Sequence, residues 1–149
     1  MTEDGWKIIY LKRENLLRQV VSNQIAKQTK IWYTKKEEGN PEYQVYLPIP
    51  LLQQGLSNRQ RWCFWEYQCL KDREYLKVVY EKELEDSSKH HETAEKVFRY
   101  LGVDPCQVNS EFCKTDLRPY EEIISNYDEV IQFLQDSPFK SFLDKNGRL

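Results

Sequence analysis

The sequence predicts an α/β fold, and three observations carry that prediction: a short apolar run at residues 6–11, an immediate switch to helical periodicity, and a second short apolar run at 76–80. Strands alternating with helices join through βαβ connections into a small, mostly parallel sheet, here within a helix-rich chain. At 149 residues, 40% hydrophobic and 31% charged, residues 1–149 are sized for a single domain with a sizeable core.

The first element is Trp6-Lys7-Ile8-Ile9-Tyr10-Leu11, a nearly continuous β-prone run of the kind found in strands covered on both faces. It stops at Lys12-Arg13. From Glu14 onward Leu17, Val20, Val21 and Ile25 recur at helical spacing, while Asn15, Arg18 and Ser22 fall on a different stripe. This is a strand, a tight turn and a helix.

Residues 32–46 read as a long loop, with room for an edge hairpin, and Leu47-Pro48-Ile49-Pro50 reads as non-helical because each proline biases its predecessor to extended geometry. Ser57 then serves as the N-cap of a long helix to about Tyr75. Trp62, Phe64, Trp65 and Tyr67 on that helix suit core packing better than a sugar-stacking platform, since aromatic rings fill interiors well.

Leu76 to Tyr80 is the second strand, followed by a helical turn through Leu84. Ser87 or Ser88 caps a helix whose inward stripe is Ala94, Val97, Phe98 and Leu101, closed by Gly102 with Pro105 beyond. Cys106 to Asn109 suits a short extended segment and Lys114 to Pro119 a loop. Asn126 caps a last helix with Tyr127, Val130, Ile131 and Leu134 inward, broken at Ser137-Pro138.

Composition narrows the function classes. A net charge of -2 excludes a broadly basic surface, and no basic patch of the kind nucleic acid requires stands out. No apolar run approaches the roughly 20 residues that span a bilayer, and the first fifteen residues lack a signal-peptide layout, so a cytoplasmic location is expected. Cys63, Cys69, Cys106 and Cys113 match no zinc or redox spacing and read as ordinary thiols. His90 and His91 are adjacent and point about 100° apart on a helix, which suits the surface better than a shared metal.

The strand-to-helix junction is the candidate site. Ligands gather at the carboxyl ends of parallel strands, and helix N-termini offer free N–H groups to anions. Arg13 lies at both, and Arg18 and Ser22 could supply a planar fork and a single donor to the same phosphate. The competing reading makes Arg13 and Arg18 solvated surface charges with Glu14 as a partner.

The run Ile8 to Ser22, continuing through Gln24-Ile25-Ala26-Lys27-Gln28-Thr29 and Trp32, resembles a signature of bacterial sulfotransferases of the trehalose and lipopolysaccharide type. Tyr75 to Leu84 is similar to that family's strand and Tyr-Glu-Asp-Leu-like turn, and Phe98-Arg99-Tyr100-Leu101-Gly102-Val103 to its helix ending in Phe-Leu-Gly. The resemblance covers most of the chain in the expected order. It implies a P-loop-type, three-layer domain that uses 3'-phosphoadenosine 5'-phosphosulfate (PAPS) as co-substrate and a carbohydrate or glycolipid hydroxyl as acceptor.

The resemblance carries the 3'-phosphate contacts onto Arg13 and Ser22, although their separation of nine departs from the usual eight. Arg18 is added by helical geometry. Lys114 and Arg118 fall where many sulfotransferases cover the nucleotide with basic residues. The loop that grips the 5'-phosphosulfate has no counterpart, since none of the five glycines belongs to a Gly-rich strand-to-helix turn. The family's acceptor-activating acid also lies in that missing part. The expectation is therefore a partial domain, lacking its N-terminal half, with no catalytic residue assigned. The rival expectations are a non-enzymatic α/β interaction protein or split-gene subunit that pairs with a P-loop partner through its open sheet edge, as a homo- or hetero-oligomer, and a helical protein that carries two strands.

Overall fold

A computed structural model describes residues 5–35, 42–110, 112–113 and 118–149. In chain order the elements are β1 (Ile8–Lys12), α1 (Leu16–Thr29), β2 (Thr34–Lys35), α2 (Ile49–Leu70), β3 (Tyr75–Val79), α3 (Tyr80–Glu83), α4 (His90–Leu101), β4 (Phe112–Cys113), α5 (Tyr120–Ile123) and α6 (Tyr127–Gln135), with 3-10 turns at Ser87–Lys89 and Lys140–Phe142. The fold is mixed α/β and helix-rich. The chain divides into two compact units, one made of residues 1–14 and 61–109, the other of residues 15–60 and 110–149.

The first unit is built on a parallel pair. β1 and β3 run in register from Ile8 opposite Tyr75 to Lys12 opposite Val79. Parallel partners point their side chains to the same face, so Ile8, Tyr10 and Lys12 share one face with Tyr75, Lys77 and Val79. Tyr10 donates its hydroxyl to Glu66 Oε2 at 2.7 Å, which ties that face to the second half of α2. The other face carries Ile9 and Leu11 beside Leu76 and Val78.

Burial in this unit is sparse. Among its described apolar residues only Val78 and Val79 are buried, and the sole buried polar residue there is Thr93. The stripe Ala94, Val97, Phe98 is half-buried and Leu101 is exposed, so α4 turns its apolar side toward only partial cover. α4 does end as its sequence requires. Gly102 adopts a left-handed conformation at φ 75°, and its N–H bonds back to Phe98 and Arg99 carbonyls.

The four aromatics of α2 correct the expectation of core packing. Trp62, Phe64, Trp65 and Tyr67 each leave between 57% and 64% of their surface exposed. The helix instead turns inward a stripe of Arg59, Cys63, Glu66 and Leu70, spaced four, three and four residues apart, and even these are only half-buried. That stripe mixes charge with apolar groups, which a search for apolar periodicity passes over.

The second unit is a helical core with polar seams. Leu17, Val20, Val21 and Ile25 of α1 pack with Leu52 and Leu56 of α2, with Val45 and Leu47, and with Ile123, Ile124, Val130, Leu134 and Phe139. The α1 pattern and the inward Val130 and Leu134 of α6 follow the periodicity read from the sequence. α2 does not: it starts at Ile49 rather than at Ser57. Pro50 sits in the first turn, where its missing N–H has no helical acceptor to lose, so proline opens the helix instead of blocking it.

Two further local choices hold this unit. Gly55 lies mid-helix because a Cβ there would come within 2.7 Å of Val20 Cγ1, so the bare backbone admits α1. Asn126 precedes α6 as expected, but its side chain does not cap the helix. It accepts from Leu47 N at 2.9 Å and donates to Leu47 O at 3.0 Å, extending the parallel bridge between Val45 and Ile124 by one side-chain rung.

Small strands and turns complete the account. β2 pairs antiparallel with β4, Thr34 opposite Cys113, where the sequence suggested an edge hairpin within residues 32–46. Residues 106–109 form no strand, and α5 occupies a stretch beyond the expected loop. The break at Ser137-Pro138 stands as read from the sequence, and the 3-10 turn Lys140–Phe142 follows it.

Candidate functional site at the end of β1

The carboxyl end of β1 is built from charged side chains far apart in sequence. Arg13 follows the last residue of the strand, and its guanidinium carbon lies 3.9 Å from the centroid of the Tyr80 ring. Its Nε donates to Glu81 Oε1 at 3.0 Å. The second oxygen of Glu81 accepts from the backbone N–H of Glu14 at 2.9 Å. One carboxylate therefore holds both the arginine and the turn that follows it.

This geometry revises the ion pairing expected from the sequence. Glu14 pairs not with Arg13 but with Lys82 Nζ, at 2.9 Å. Arg13 and Glu81 are the better covered pair, with side chains 23% and 17% exposed, against 65% and 42% for Lys82 and Glu14. Exposed pairs of the second kind contribute little, about 0–1 kcal/mol. The stacked and hydrogen-bonded Arg13 is instead fixed in orientation, because a planar guanidinium satisfies a ring face and an in-plane acceptor together.

A second carboxylate organises the turn from β3 into α3. Glu83 accepts from the Val79 N–H and from Lys96 Nζ, and Lys96 also donates to the Lys77 carbonyl at 3.0 Å. The hydrogen bond from Lys96, followed by that from the Val79 N–H, holds the Glu83 carboxyl below its usual range. Thr93 Oγ1 donates to the Glu83 carbonyl at 2.8 Å, which accounts for the one buried polar side chain of α4. Asp86 is likewise lowered, by accepting from Ser88, and it caps the 3-10 turn where Ser87 or Ser88 was expected to cap the helix.

The predicted site residues divide between the two units. Arg13 belongs to the sheet unit, whereas Arg18 and Ser22 belong to the helical unit, because the division falls between Glu14 and Asn15. Asn15 caps α1 by accepting from the Arg18 N–H at 2.9 Å. Arg18 is half-buried and Ser22 is exposed on α1. Lys114 lies outside the described residues. Arg118 sits over the Tyr43 ring and donates to the Tyr43 carbonyl at 3.3 Å, contacts internal to the helical unit.

The histidines occupy separate environments. A ring nitrogen of His90 lies 2.8 Å from the Leu84 carbonyl, and His91 faces Glu95 one turn along α4. Among the described residues no group of three or more His, Cys, Asp or Glu side chains could hold a metal ion. Among them, too, no helix is long and apolar enough to cross a membrane.

Sequence reading missed Glu81, Glu83 and Lys96. Arg13 and Glu81 are 68 residues apart, and nothing local marks either as the other's partner. Chemically, the junction presents a pre-oriented guanidinium at a parallel strand end. Its two terminal nitrogens make no further hydrogen bond among the described residues. Such a fork suits a phosphate or sulfate oxygen pair.

No family model, no curated protein and no solved structure matches this chain.

Proposed function

We propose that this chain is a PAPS-dependent sulfotransferase-type domain, in which Arg13 binds the 3'-phosphate of the nucleotide. The observation that supports this reading most is the fixed guanidinium of Arg13, stacked on Tyr80 and anchored through Nε to Glu81, with its outer fork directed to no other acceptor among the described residues. A phosphate binds well to such a fork because the entropy of ordering the arginine is already spent. Ser22 enters the proposal through the resemblance of residues 8–32 alone, and Arg18 through its helical spacing alone. The acceptor in this reading is a carbohydrate or glycolipid hydroxyl, and no residue is assigned to the sulfuryl transfer itself.

Calorimetric titration with adenosine 3',5'-bisphosphate tests the assignment. Charge-assisted hydrogen bonds contribute roughly 1.5–3 kcal/mol, so Arg13→Ala is expected to weaken binding about tenfold to a hundredfold. Adenosine 5'-phosphate, which lacks the 3' group, should bind more weakly and be insensitive to the change. Failure of the unaltered chain to bind the bisphosphate, or equal binding by a folded Arg13→Ala variant, overturns the reading.

One observation favours the rival from another class, a non-enzymatic interaction protein. The sheet unit leaves most of its large aromatic side chains exposed, as partner-binding surfaces do.

A further inference from the structure

The two groups that orient Arg13, the Tyr80 ring and the Glu81 carboxylate, are the first two residues of α3. α3 cannot hold that pose by itself. It is four residues long, its backbone closes on the Tyr80 carbonyl through the Leu84 and Glu85 N–H groups, and none of its residues is fully buried. A helical turn this short is marginal in water, and no apolar burial is there to fix it.

What fixes α3 is a polar stripe on α4 and the turn before it. Lys89, Thr93 and Lys96 are spaced four and three residues apart and share one face, with His90 at its side. Lys89 Nζ donates to the Lys82 carbonyl at 3.0 Å, Thr93 Oγ1 to the Glu83 carbonyl at 2.8 Å, and a ring nitrogen of His90 lies 2.8 Å from the Leu84 carbonyl. These are consecutive carbonyls at the end of α3, where a helix leaves its acceptors without partners. The Lys96 ammonium reaches both the Glu83 carboxylate and the Lys77 carbonyl of β3, and the other oxygen of Glu83 accepts from Val79, the residue that joins β3 to α3. All these groups belong to the sheet unit, as Arg13 does. α4 therefore grips one end of α3, and the other end presents Tyr80 and Glu81 to Arg13.

We propose that Lys96 and Glu83 are positioning residues for the anion bound at Arg13, acting through α3. The inference rests on the reading of Arg13 as an anion site. Both act at a distance: the Lys96 ammonium is engaged by Glu83 and the Lys77 carbonyl, and the Glu83 carboxylate by Lys96 and Val79. A loosened α3 frees the Arg13 fork to sample other rotamers, and an anion must then order it on binding. The opposite charges of the pair separate positioning from electrostatics. Charge alone makes loss of Lys96 weaken anion binding and loss of Glu83 strengthen it, whereas positioning makes both weaken it.

Calorimetric titration of the full chain with adenosine 3',5'-bisphosphate, beside the nitrogen-15 resonance of Arg13 Nε, tests this. Lys96→Met and Glu83→Gln, each checked for folding by far-ultraviolet circular dichroism, should both weaken binding about twofold to tenfold. In an Arg13→Ala background neither should weaken it further. The Arg13 Nε–H, ordered in the unaltered chain, should exchange faster with solvent in both variants. Binding that Arg13→Ala weakens but neither variant does, tighter binding by Glu83→Gln, or an unchanged Arg13 resonance overturns the proposal. If the unaltered chain binds no bisphosphate, the reading of Arg13 fails and the anion goes with it, whereas faster Nε–H exchange in the variants still establishes the positioning. Should either variant not fold, Thr93→Val, which removes the bond to the Glu83 carbonyl at nearly constant shape, must show the same two losses, and their absence overturns the proposal equally.

Discussion

The two units hold themselves together by different means. In the helical unit α1, α2 and α6 share a cluster of aliphatic side chains, of which Leu17, Leu56, Val130 and Leu134 are fully buried. In the sheet unit the long-range ties are polar: Tyr10 to Glu66, Arg13 to Glu81, and Lys96 to both Glu83 and the Lys77 carbonyl. Aliphatic burial is non-directional and grows with area, whereas ion pairs open to solvent fix geometry and add little net stability. The helical unit is thus the better source of stability, and the sheet unit the better source of oriented functional groups.

Three measurements break or sharpen this contrast. The largest effect is expected from Leu17→Ala, which opens a cavity in the helical core and should cost about 2–5 kcal/mol in urea unfolding. A cost below about 1 kcal/mol would mean that the cluster is not the main support of its unit.

Glu83→Gln should have a smaller effect, and one that depends on pH. Because the folded-state pKa of Glu83 is lowered, the carboxylate stabilises the fold above the usual carboxylate range, and that stability is lost as pH falls through the lowered value. The variant should therefore exchange the amides of β3 and α4 faster than the unaltered chain at neutral pH. The difference should fade in acid. A gap that stays constant with pH would assign the residue's role to packing.

The smallest effect belongs to Trp65→Ser. With more than half its surface exposed, this side chain should change stability by no more than about 0.5 kcal/mol. A larger loss would show that the aromatic face of α2 is covered in solution.

Legibility in the sequence followed the range of the forces involved. The α1 stripe of Leu17, Val20, Val21 and Ile25 was readable because helical periodicity and burial coincide there. The stop of α4 at Gly102 was equally plain, since a left-handed terminal residue without a Cβ is a local requirement. The start of α2 was misplaced because Pro50 can both open and interrupt a helix. Asn126 was rightly placed before α6, but its work is done on Leu47, 79 residues away. At the candidate site Arg13 was legible at the end of its strand, and the carboxylate that orients it was not.

By itself, the sequence determined the alternation of strands and helices, the α1 and α6 core stripes, and the placing of Arg13 at a strand end. Each depends on residue type and spacing within a few turns of chain. Only the tertiary structure decided that Glu81 holds Arg13, that Gly55 admits Val20, and that the aromatics of α2 face outward. Those outcomes depend on which distant surfaces meet, and an ion pair or a close approach across tens of residues leaves no periodic trace in the chain that encodes it.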